Sequence, residues 1–275
     1  MATKGTILVT GDNGSLGSAL VVRRVSTGEI PPIRALILNA AFQDFGNQSW
    51  TDDGFDTVFA SNYLGHWLLT LLLLGSMDME SGRIVVLGSQ SHDTKDTRNE
   101  VTHAFDDPKY KTVLPDSDDD AAAAEGFNAI ARGQWSPAAE DATFAGGYRR
   151  YGASKLFLLM MQHELQARLL RSDSTSRICV LGIIFPIILF FSPGGDTVRS
   201  PARSAGDVLE AALGYPAVGG RGEADGLPRD LYLDGRRPCG TSEEARDAGK
   251  RALVWRESVR LAGLREGETV LGDWR

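Results

Sequence analysis

The sequence predicts an α/β protein in which helices cover both faces of a mostly parallel sheet. Short β-branched segments alternate with longer amphipathic segments along the whole chain, which is the pattern of this fold class. The first strand, Thr6–Val9, leads directly into a glycine-rich turn, and Ser18–Arg24 then has the composition of a helix. A strand, a glycine-rich turn and a helix form the unit from which doubly wound sheets are built.

The later elements follow from the same two periodicities. Buried strands are predicted where short apolar runs lie between polar or glycine residues, at Ala35–Leu38, Arg83–Leu87, Arg177–Leu181 and Leu231–Leu233. Helices are predicted where longer periodic segments follow turn residues, at Phe55–Leu74, Tyr151–Leu170, Ala205–Leu213 and Ser242–Ala262. Residues 92–147 form a long polar excursion from the core, and residues 183–199 form an irregular segment on the substrate side.

The composition places the whole chain in one domain. Its hydrophobic content of 42% and charged content of 24% are close to globular averages. No Pro/Gly/Ser-rich linker divides the 275 residues. We therefore predict a single domain over residues 1–275 that is large enough to bury a sizeable core.

The charge and the cysteine content disfavour several functions. A net charge of -7 argues against nucleic-acid binding, which needs clustered Lys and Arg, and favours a small-molecule partner. Cys179 and Cys239 provide neither a disulfide framework nor a metal-ligand spacing, so we expect no metal and a reducing, cytoplasmic setting. No secretory signal is expected. The longest apolar runs, Trp67–Leu74 and Ile183–Phe191, are too short to span a bilayer, although the second allows peripheral contact with a lipid surface.

The segment after the first strand has the chemistry of a phosphate-binding loop. Its residues are Thr10, Gly11, Asp12, Asn13, Gly14, Ser15, Leu16 and Gly17. Glycines let the backbone approach a pyrophosphate, and the N-terminus of the next helix supplies unpaired N–H donors and a positive dipole end. A tight turn without a ligand is the alternative interpretation, because a glycine-rich turn by itself is a weak signal.

A second group of residues lies at strand ends and helix starts further along the chain. Its members are Asn39, Ala40, Ala41, Asn62, Ser89, Tyr151 and Lys155. A Tyr and a Lys four residues apart share one helix face, so the ammonium of Lys155 can favour the phenolate form of Tyr151. Such a pair suits proton transfer to or from an alcohol oxygen during hydride transfer. An ordinary amphipathic helix start is the alternative for this pair.

In this order, the segments resemble the short-chain dehydrogenase/reductase family. The run from Asn62 to Trp67 and the later Val254–Ser258 are similar to its retinol-dehydrogenase-like members. The resemblance covers Thr6 to about Leu181 and Ser200 to Ala262. It implies a Rossmann-like, doubly wound parallel sheet and an NAD(P) cofactor.

The resemblance also implies a role for each motif residue. Tyr151 would be the catalytic acid/base, and Lys155 would also bind the nicotinamide ribose. Ser89 would hydrogen-bond the substrate oxygen, and Asn62 would hold a water in a proton relay. The cofactor-binding residues would be Thr10, Gly11, Asn13, Gly14, Ser15, Leu16, Gly17, Asn39, Ala40, Ala41, Tyr151 and Lys155.

Three polar residues near these motifs receive no role from the sequence. Ser91 is an alternative to Ser89 as the substrate-orienting hydroxyl, because both follow the same strand. His66 and His92 are candidate general bases, but a single histidine in a buried helix or at a loop start is more often structural.

Two departures from the family pattern bear on the cofactor site. Only 17 residues separate Gly17 from Ala35, where the family places two further strand–helix units. We therefore expect the sheet to lack two edge strands of the nucleotide-binding half, together with the residue that selects the cofactor's 2′ group. NADP(H) is the first choice of cofactor, but this preference is not readable from the residues. The second departure is that Gly182 leads into an apolar run instead of the family's Pro-Gly turn.

Three functional hypotheses remain from the sequence. The first is an NAD(P)-dependent oxidoreductase that interconverts a small-molecule alcohol and a carbonyl, with a homodimer left open. The second is a catalytically defective or non-enzymatic relative with an incomplete cofactor site, because the nucleotide half is short and its first strand would be an exposed edge. An epimerase or dehydratase is weaker, because the C-terminal part is too short for a separate substrate domain.

Overall fold

A computed structural model of the chain describes residues 5–10, 28–116, 119–172, 177–184, 201–214 and 230–275. The expected phosphate loop Gly11–Gly17 and the expected helix Ser18–Arg24 lie outside these residues. So do residues 185–199 of the expected irregular segment, and most of the apolar run that begins at Ile183.

The described strands form one six-stranded sheet in chain order. Strands β1 to β5 are parallel, and β6 pairs antiparallel with β5. Their bounds are β1 Thr6–Val9, β2 Ile33–Leu38, β3 Arg83–Gly88, β4 Cys179–Ile184, β5 Tyr232–Asp234 and β6 Arg237–Cys239. The α/β fold class is therefore confirmed. Within the described residues β1 is an edge strand, as expected for a sheet that lacks two strands beyond it.

Residues alternate between two apolar layers along the strands, because successive side chains point to opposite faces. Leu36, Leu38 and Val86 belong to the larger core on one face. Ala35 and Ile37 belong to a smaller core on the other face. Ile183 and Ile184 are buried residues of β4. The predicted irregular segment, residues 183–199, therefore begins two residues too early.

Six helices accompany the sheet among the described residues. Their bounds are α1 Thr57–Ser76, α2 Asp120–Ala131, α3 Phe144–Ser172, α4 Pro201–Leu209 with a π-helical extension Glu210–Gly214, α5 Glu243–Arg246 and α6 Ala248–Ala262. Helices α1, α3 and α6 cover the larger core, and the extension of α4 covers the smaller one. The two-sided coverage is what a mostly parallel sheet requires.

Several helix boundaries differ from the sequence prediction, and α4 begins at Pro201 and not at Ala205. Helix α3 begins at Phe144, so Tyr151 lies two turns inside it and does not open it. The predicted helix Ser242–Ala262 is in fact two helices, because Asp247 ends α5 and its side chain accepts a hydrogen bond from Lys250 N at 2.8 Å, which caps α6. The strand β6 was not predicted.

The polar excursion is folded against the end of the chain. It contains α2, which packs against α6. Both carboxylate oxygens of Glu244 accept hydrogen bonds from the excursion, from Val113 N at 3.2 Å and from Leu114 N at 2.7 Å. Lys250 Nζ donates to Leu114 O at 2.8 Å. The excursion is therefore an ordered cover over the C-terminal helices.

Helix α1 is long and apolar enough to cross a membrane when judged by length and composition alone. Within its most apolar stretch, 61% is buried inside the protein. Trp67 and Leu71 pack in the larger core, and Trp67 contacts Trp255 of α6 edge to face with ring centroids 5.3 Å apart. In this fold α1 therefore acts as a core helix.

A buried ion pair connects the loop after β2 to helix α3. The guanidinium of Arg150 donates to both carboxylate oxygens of Asp44, at 2.8 and 2.9 Å, and both side chains are almost fully buried. Removal of Asp44 leaves the buried charge of Arg150 with the more distant carboxylate of Asp56, 4.0 Å away, so we predict that Asp44→Ala lowers the free energy of unfolding by about 3 kcal/mol in urea titrations. Lys95→Ala breaks an exposed pair with Glu243 and is the control, for which a much smaller change is expected. Equal losses in the two variants would contradict the prediction.

Candidate active site

Four of the predicted site residues meet at the C-terminal edge of the parallel strands. Asn62 lies on α1, Ser89 follows β3 directly, and Tyr151 and Lys155 lie one turn apart on α3. All four side chains are buried. Open α/β sheets bind ligands at this edge. The structure therefore brings the expected catalytic group together, although its members are up to 93 positions apart in the chain, from Asn62 to Lys155.

Lys155 is held against both the tyrosine and the sheet. Its ammonium nitrogen lies 5.5 Å from the centroid of the Tyr151 ring and donates to Leu87 O at 2.8 Å. An ammonium group has three N–H donors, so other acceptors can still bind to Lys155. Burial lowers the pKa of Lys155 to about 8. The group is thus mostly charged at neutral pH but close to its titration range.

Burial controls the protonation of Tyr151. It raises the pKa of the phenol above its ordinary value of 10.0, and the neighbouring Tyr148 raises it further. Ser89 acts in the opposite direction. Lys155 is not among the groups that shift this pKa, so the expected stabilisation of the phenolate by Lys155 is not found, and Tyr151 carries its proton at neutral pH.

Of the two candidate serines, Ser89 is the one that lowers the pKa of Tyr151. Ser89 is the N-cap of a short 3-10 turn, Gln90–His92. Its hydroxyl oxygen accepts hydrogen bonds from Ser91 N at 3.2 Å and from Ser91 Oγ at 2.9 Å. Ser91 lowers the pKa of a different residue, the neighbouring Tyr148.

The side chain of Asn62 makes three hydrogen bonds to protein partners. Its amide nitrogen donates to Phe42 O at 2.8 Å and to Ser154 Oγ at 3.0 Å, and its oxygen accepts from Phe42 N at 2.7 Å. Asn62 lies in a π-helical turn, Ala60–Leu64, inside α1. Such turns are frequent at functional sites. Asn62 thus joins α1, α3 and the loop after β2.

His66 is a site residue to which the sequence assigned no role. Its Nδ1 is 3.1 Å from Asn62 O, and its Nε2 is 2.9 Å from Thr10 Oγ1. Because a carbonyl can only accept, Nδ1 carries the proton and Nε2 accepts from the threonine hydroxyl. Thr10 Oγ1 in turn accepts from the backbone N–H groups of Asn39 at 2.9 Å and Ala40 at 3.0 Å. The spacing of four residues from Asn62 is the one signal in the sequence that places His66 on the same helix face.

The candidate cofactor residues are described only in part. Thr10 follows β1 directly, and Asn39, Ala40 and Ala41 follow β2 at the same edge of the sheet, where Asn39 and Ala41 are exposed. Among the described residues no group of His, Cys, Asp and Glu is arranged to hold a metal.

His92 connects the serine turn to the C-terminal helices. Its Nδ1 donates to Ser89 O at 2.6 Å, and its Nε2 accepts from the backbone N–H of Ser242 at 3.0 Å. Burial lowers the pKa of His92, consistent with the neutral tautomer that these two bonds require. His92 therefore has a structural arrangement, and both of its ring nitrogens are used.

The fold and the grouped Ser, Tyr and Lys side chains define a dehydrogenase/reductase of the short-chain class, and comparisons with known proteins agree. The chain is 33% identical to the short-chain dehydrogenase iccH of Talaromyces variabilis over 311 residues, covering 96% of this chain and 81% of that protein. It is 27% identical to the polyprenol dehydrogenase of Danio rerio, covering 85% of this chain and 63% of that protein. No family model matches the chain.

The chain belongs to the short-chain dehydrogenase/reductase family and is an oxidoreductase of that family. A solved structure of an uncharacterized protein from Mycobacterium paratuberculosis has the same fold, with a TM-score of 0.52, 22% identity and coverage of 95% of this chain and 94% of that one. The alignment to the fungal dehydrogenase runs over 311 positions, although this chain has 275 residues, so at least 36 positions have no counterpart here. That shortfall agrees with the expected loss of internal segments.

The buried His66 predicts a pH dependence of stability. Burial, followed by the positive charge of Lys155, lowers the pKa of His66 from 6.5 to about 4. The unfolded chain binds the proton more readily, so the contribution of neutral His66 is fully present above pH 6.5 and is lost as the pH falls towards 4. The loss amounts to about 3 kcal/mol.

Urea titrations of the wild type and His66→Gln at pH 7 and pH 4.5 measure this contribution. We expect the wild type to lose more stability than His66→Gln between the two pH values, because glutamine does not titrate. His103→Gln removes an exposed histidine and is the control, which should keep the wild-type slope. An equally steep loss in His66→Gln would rule out His66 as the titrating group.

Proposed function

We propose that the protein is an NAD(P)-dependent oxidoreductase that interconverts an alcohol and a carbonyl on a small, moderately apolar molecule. The observation that carries the proposal is the convergence of buried Tyr151, Lys155 and Ser89 at the ligand-binding edge of the sheet. Tyr151 is the acid/base, Ser89 orients the substrate oxygen and Lys155 is the electrostatic partner of the phenol. We also propose a cytoplasmic location.

The protonation states favour the protein as a proton donor. The bound nicotinamide supplies or accepts the hydride. During carbonyl reduction, Ser89 donates a hydrogen bond to the carbonyl oxygen and Tyr151 gives up its phenolic proton to that oxygen. A phenol with a raised pKa is protonated over the usual pH range, so it is ready for this direction of the reaction. The positive charge of Lys155 stabilises the phenolate that remains.

The proton must then be replaced from elsewhere in the site. Both amide hydrogens of Asn62 are used, but its side-chain oxygen accepts only the bond from Phe42 N, so a second lone pair there can accept from a water. The backbone oxygen of Asn62 already accepts from His66. Asn62 is therefore proposed as a relay residue by way of its side-chain oxygen.

The residues present fit a nicotinamide dinucleotide. Lys155 has N–H donors beyond the one that it gives to Leu87, and these suit the ribose hydroxyls. Exposed Asn39 and Ala41 lie beside the end of β1, where the glycine-rich segment from Gly11 to Gly17 begins. We propose that this segment binds the pyrophosphate and that the cofactor is NADP(H). The Danio rerio relative is a polyprenol dehydrogenase, and a polyprenol is an apolar alcohol, which agrees with the proposed substrate class.

A second candidate function is a family member without catalysis. The position of β1 favours it, because β1 is an edge strand among the described residues, with Ile7 42% exposed and Val9 54% exposed. Exposed edge strands are sites of pairing and aggregation. In that case the protein would fold and bind a partner or a second copy through this edge, without binding a nicotinamide cofactor.

Titration of the purified protein with NADH and NADPH separates the two candidates. A cofactor that binds only the folded state raises the melting temperature by mass action, and nicotinamide fluorescence follows the same binding. We expect saturable binding, tighter for NADPH. Gly14→Val is the control, because a side chain there obstructs the approach of the pyrophosphate to the backbone. A folded, monodisperse wild type that binds neither dinucleotide would exclude the oxidoreductase proposal.

Removal of the phenolic hydroxyl tests the assigned chemistry. We predict that Tyr151→Phe lowers kcat by at least about a hundredfold, because the acid/base group is lost, while the Kd for the cofactor stays near the wild-type value. Tyr110→Phe removes another buried tyrosine hydroxyl, whose ring packs on Trp135 away from the site, and should leave kcat unchanged. Turnover by Tyr151→Phe at the wild-type rate would show that a different residue moves the proton.

A further inference from the structure

The hydroxyl of Ser89 is fully used as an acceptor by one neighbour. Ser91 donates to Ser89 Oγ twice, through its backbone N–H at 3.2 Å and through its own hydroxyl at 2.9 Å. A serine hydroxyl has two acceptor lone pairs and one hydrogen. Both lone pairs are therefore occupied, and the single hydrogen of Ser89 remains to be donated.

The hydroxyl of Ser89 lies close to helix α3. Ser89 is fully buried, Gly152 of α3 packs directly against Ser91 O, and Ser89 lowers the pKa of the adjacent Tyr151. We propose that Ser91 is a positioning residue that makes Ser89 a dedicated hydrogen-bond donor towards Tyr151 and the substrate oxygen. The catalytic consequence rests on the proposed function, whereas the orientation of the hydroxyl does not.

The turn that carries both serines cannot rotate away from this geometry. His92 holds it from below, because its Nδ1 and its backbone N both donate to Ser89 O, at 2.6 and 3.2 Å. On the side of α3, Gly152, which follows Tyr151, packs directly against the turn. A Cβ at Gly152 would lie 2.5 Å from Ser91 O, so the turn sits as close to α3 as a glycine permits.

The donor role matters for the reaction step. When hydride adds to the carbonyl carbon, the C=O π electrons move onto the oxygen, the nicotinamide is oxidised, and the oxygen takes the phenolic proton of Tyr151. A Ser89 hydrogen that points to this oxygen stabilises its developing negative charge. A Ser89 hydroxyl that accepts from the substrate side instead would give no such stabilisation.

Ser91→Ala removes one of the two bonds without disturbing the other. The backbone N–H of residue 91 remains, so the turn keeps its local hydrogen bond while the hydroxyl of Ser89 gains rotational freedom. We expect kcat for carbonyl reduction to fall about tenfold, the worth of one hydrogen bond. Ser91→Thr keeps the hydroxyl and should restore the rate. Ser258→Ala deletes a buried serine hydroxyl that bonds to Tyr63 and is the control for loss of such a group elsewhere.

A double variant, Ser89→Ala with Ser91→Ala, distinguishes positioning of Ser89 from a separate role of Ser91. If Ser91 acts only through Ser89, Ser91→Ala has no further effect on the rate of Ser89→Ala. Additive losses, or wild-type activity of Ser91→Ala, would overturn the proposal.

A measurement without turnover keeps the proposal testable if the protein proves inactive. Unfolding free energies of Ser89→Ala, Tyr151→Phe and their double variant give the coupling between the two side chains. We expect that coupling to fall when the same cycle is repeated in the Ser91→Ala background. An unchanged coupling would show that Ser91 does not orient Ser89, whatever the activity. Absent turnover with a reduced coupling would instead contradict the proposed function alone.

Discussion

The structure depends on one constraint: helix α3 is buried along most of its length, yet it carries polar side chains against the sheet. A buried polar group without a partner costs free energy, so each of these side chains needs a hydrogen-bonding atom at its own height on the strands. Lys155 meets Leu87 O, Gln162 meets Leu231 O and Gln166 meets Val180 N. These residues are seven and four positions apart on α3 and contact three different strands or strand ends, so they fix both the axial position and the rotation of the helix.

The active site is a consequence of that fixed position. Once the height and rotation of α3 are set, Tyr151 must lie over the end of β3, beside Ser89. The strands and the side chains that cover them pack closely because glycines lie at the contacts. A Cβ on Gly88 would collide with the hydroxyl of Tyr232, and one on Gly182 would overlap Gln162. The burial that stabilises α3 also raises the pKa of Tyr151 and lowers that of Lys155, so packing and proton chemistry have the same origin.

The sequence predicts the periodic elements and the catalytic group, and it fails where tertiary contacts override local preference. The sequence predicts that α3 begins at Tyr151, but the helix already includes Gly146 and Gly147, although glycine is a poor helix former. A Cβ on Gly147 would lie 2.6 Å from Gly46 N, so glycine is required there by a loop a hundred residues earlier. The bridge from His66 to Thr10 was missed for the same reason, since it joins residues 56 positions apart whose pairing has no local pattern.

The hydrogen bond between His66 and Thr10 also explains how the end of β1 is held in place at the edge of the described sheet. Strand β1 has four residues and is half exposed. Among the described residues, no strand pairs with its outer side. Its end is tied instead from within: Thr10 N donates to Ile37 O at 2.9 Å, and Thr10 Oγ1 binds His66 and the backbone after β2. These bonds run from β1 towards Asn62 and away from the edge. The geometry where the cofactor segment leaves the sheet is therefore set by residues that the chain retains, and not by the two strands that the family places beyond β1.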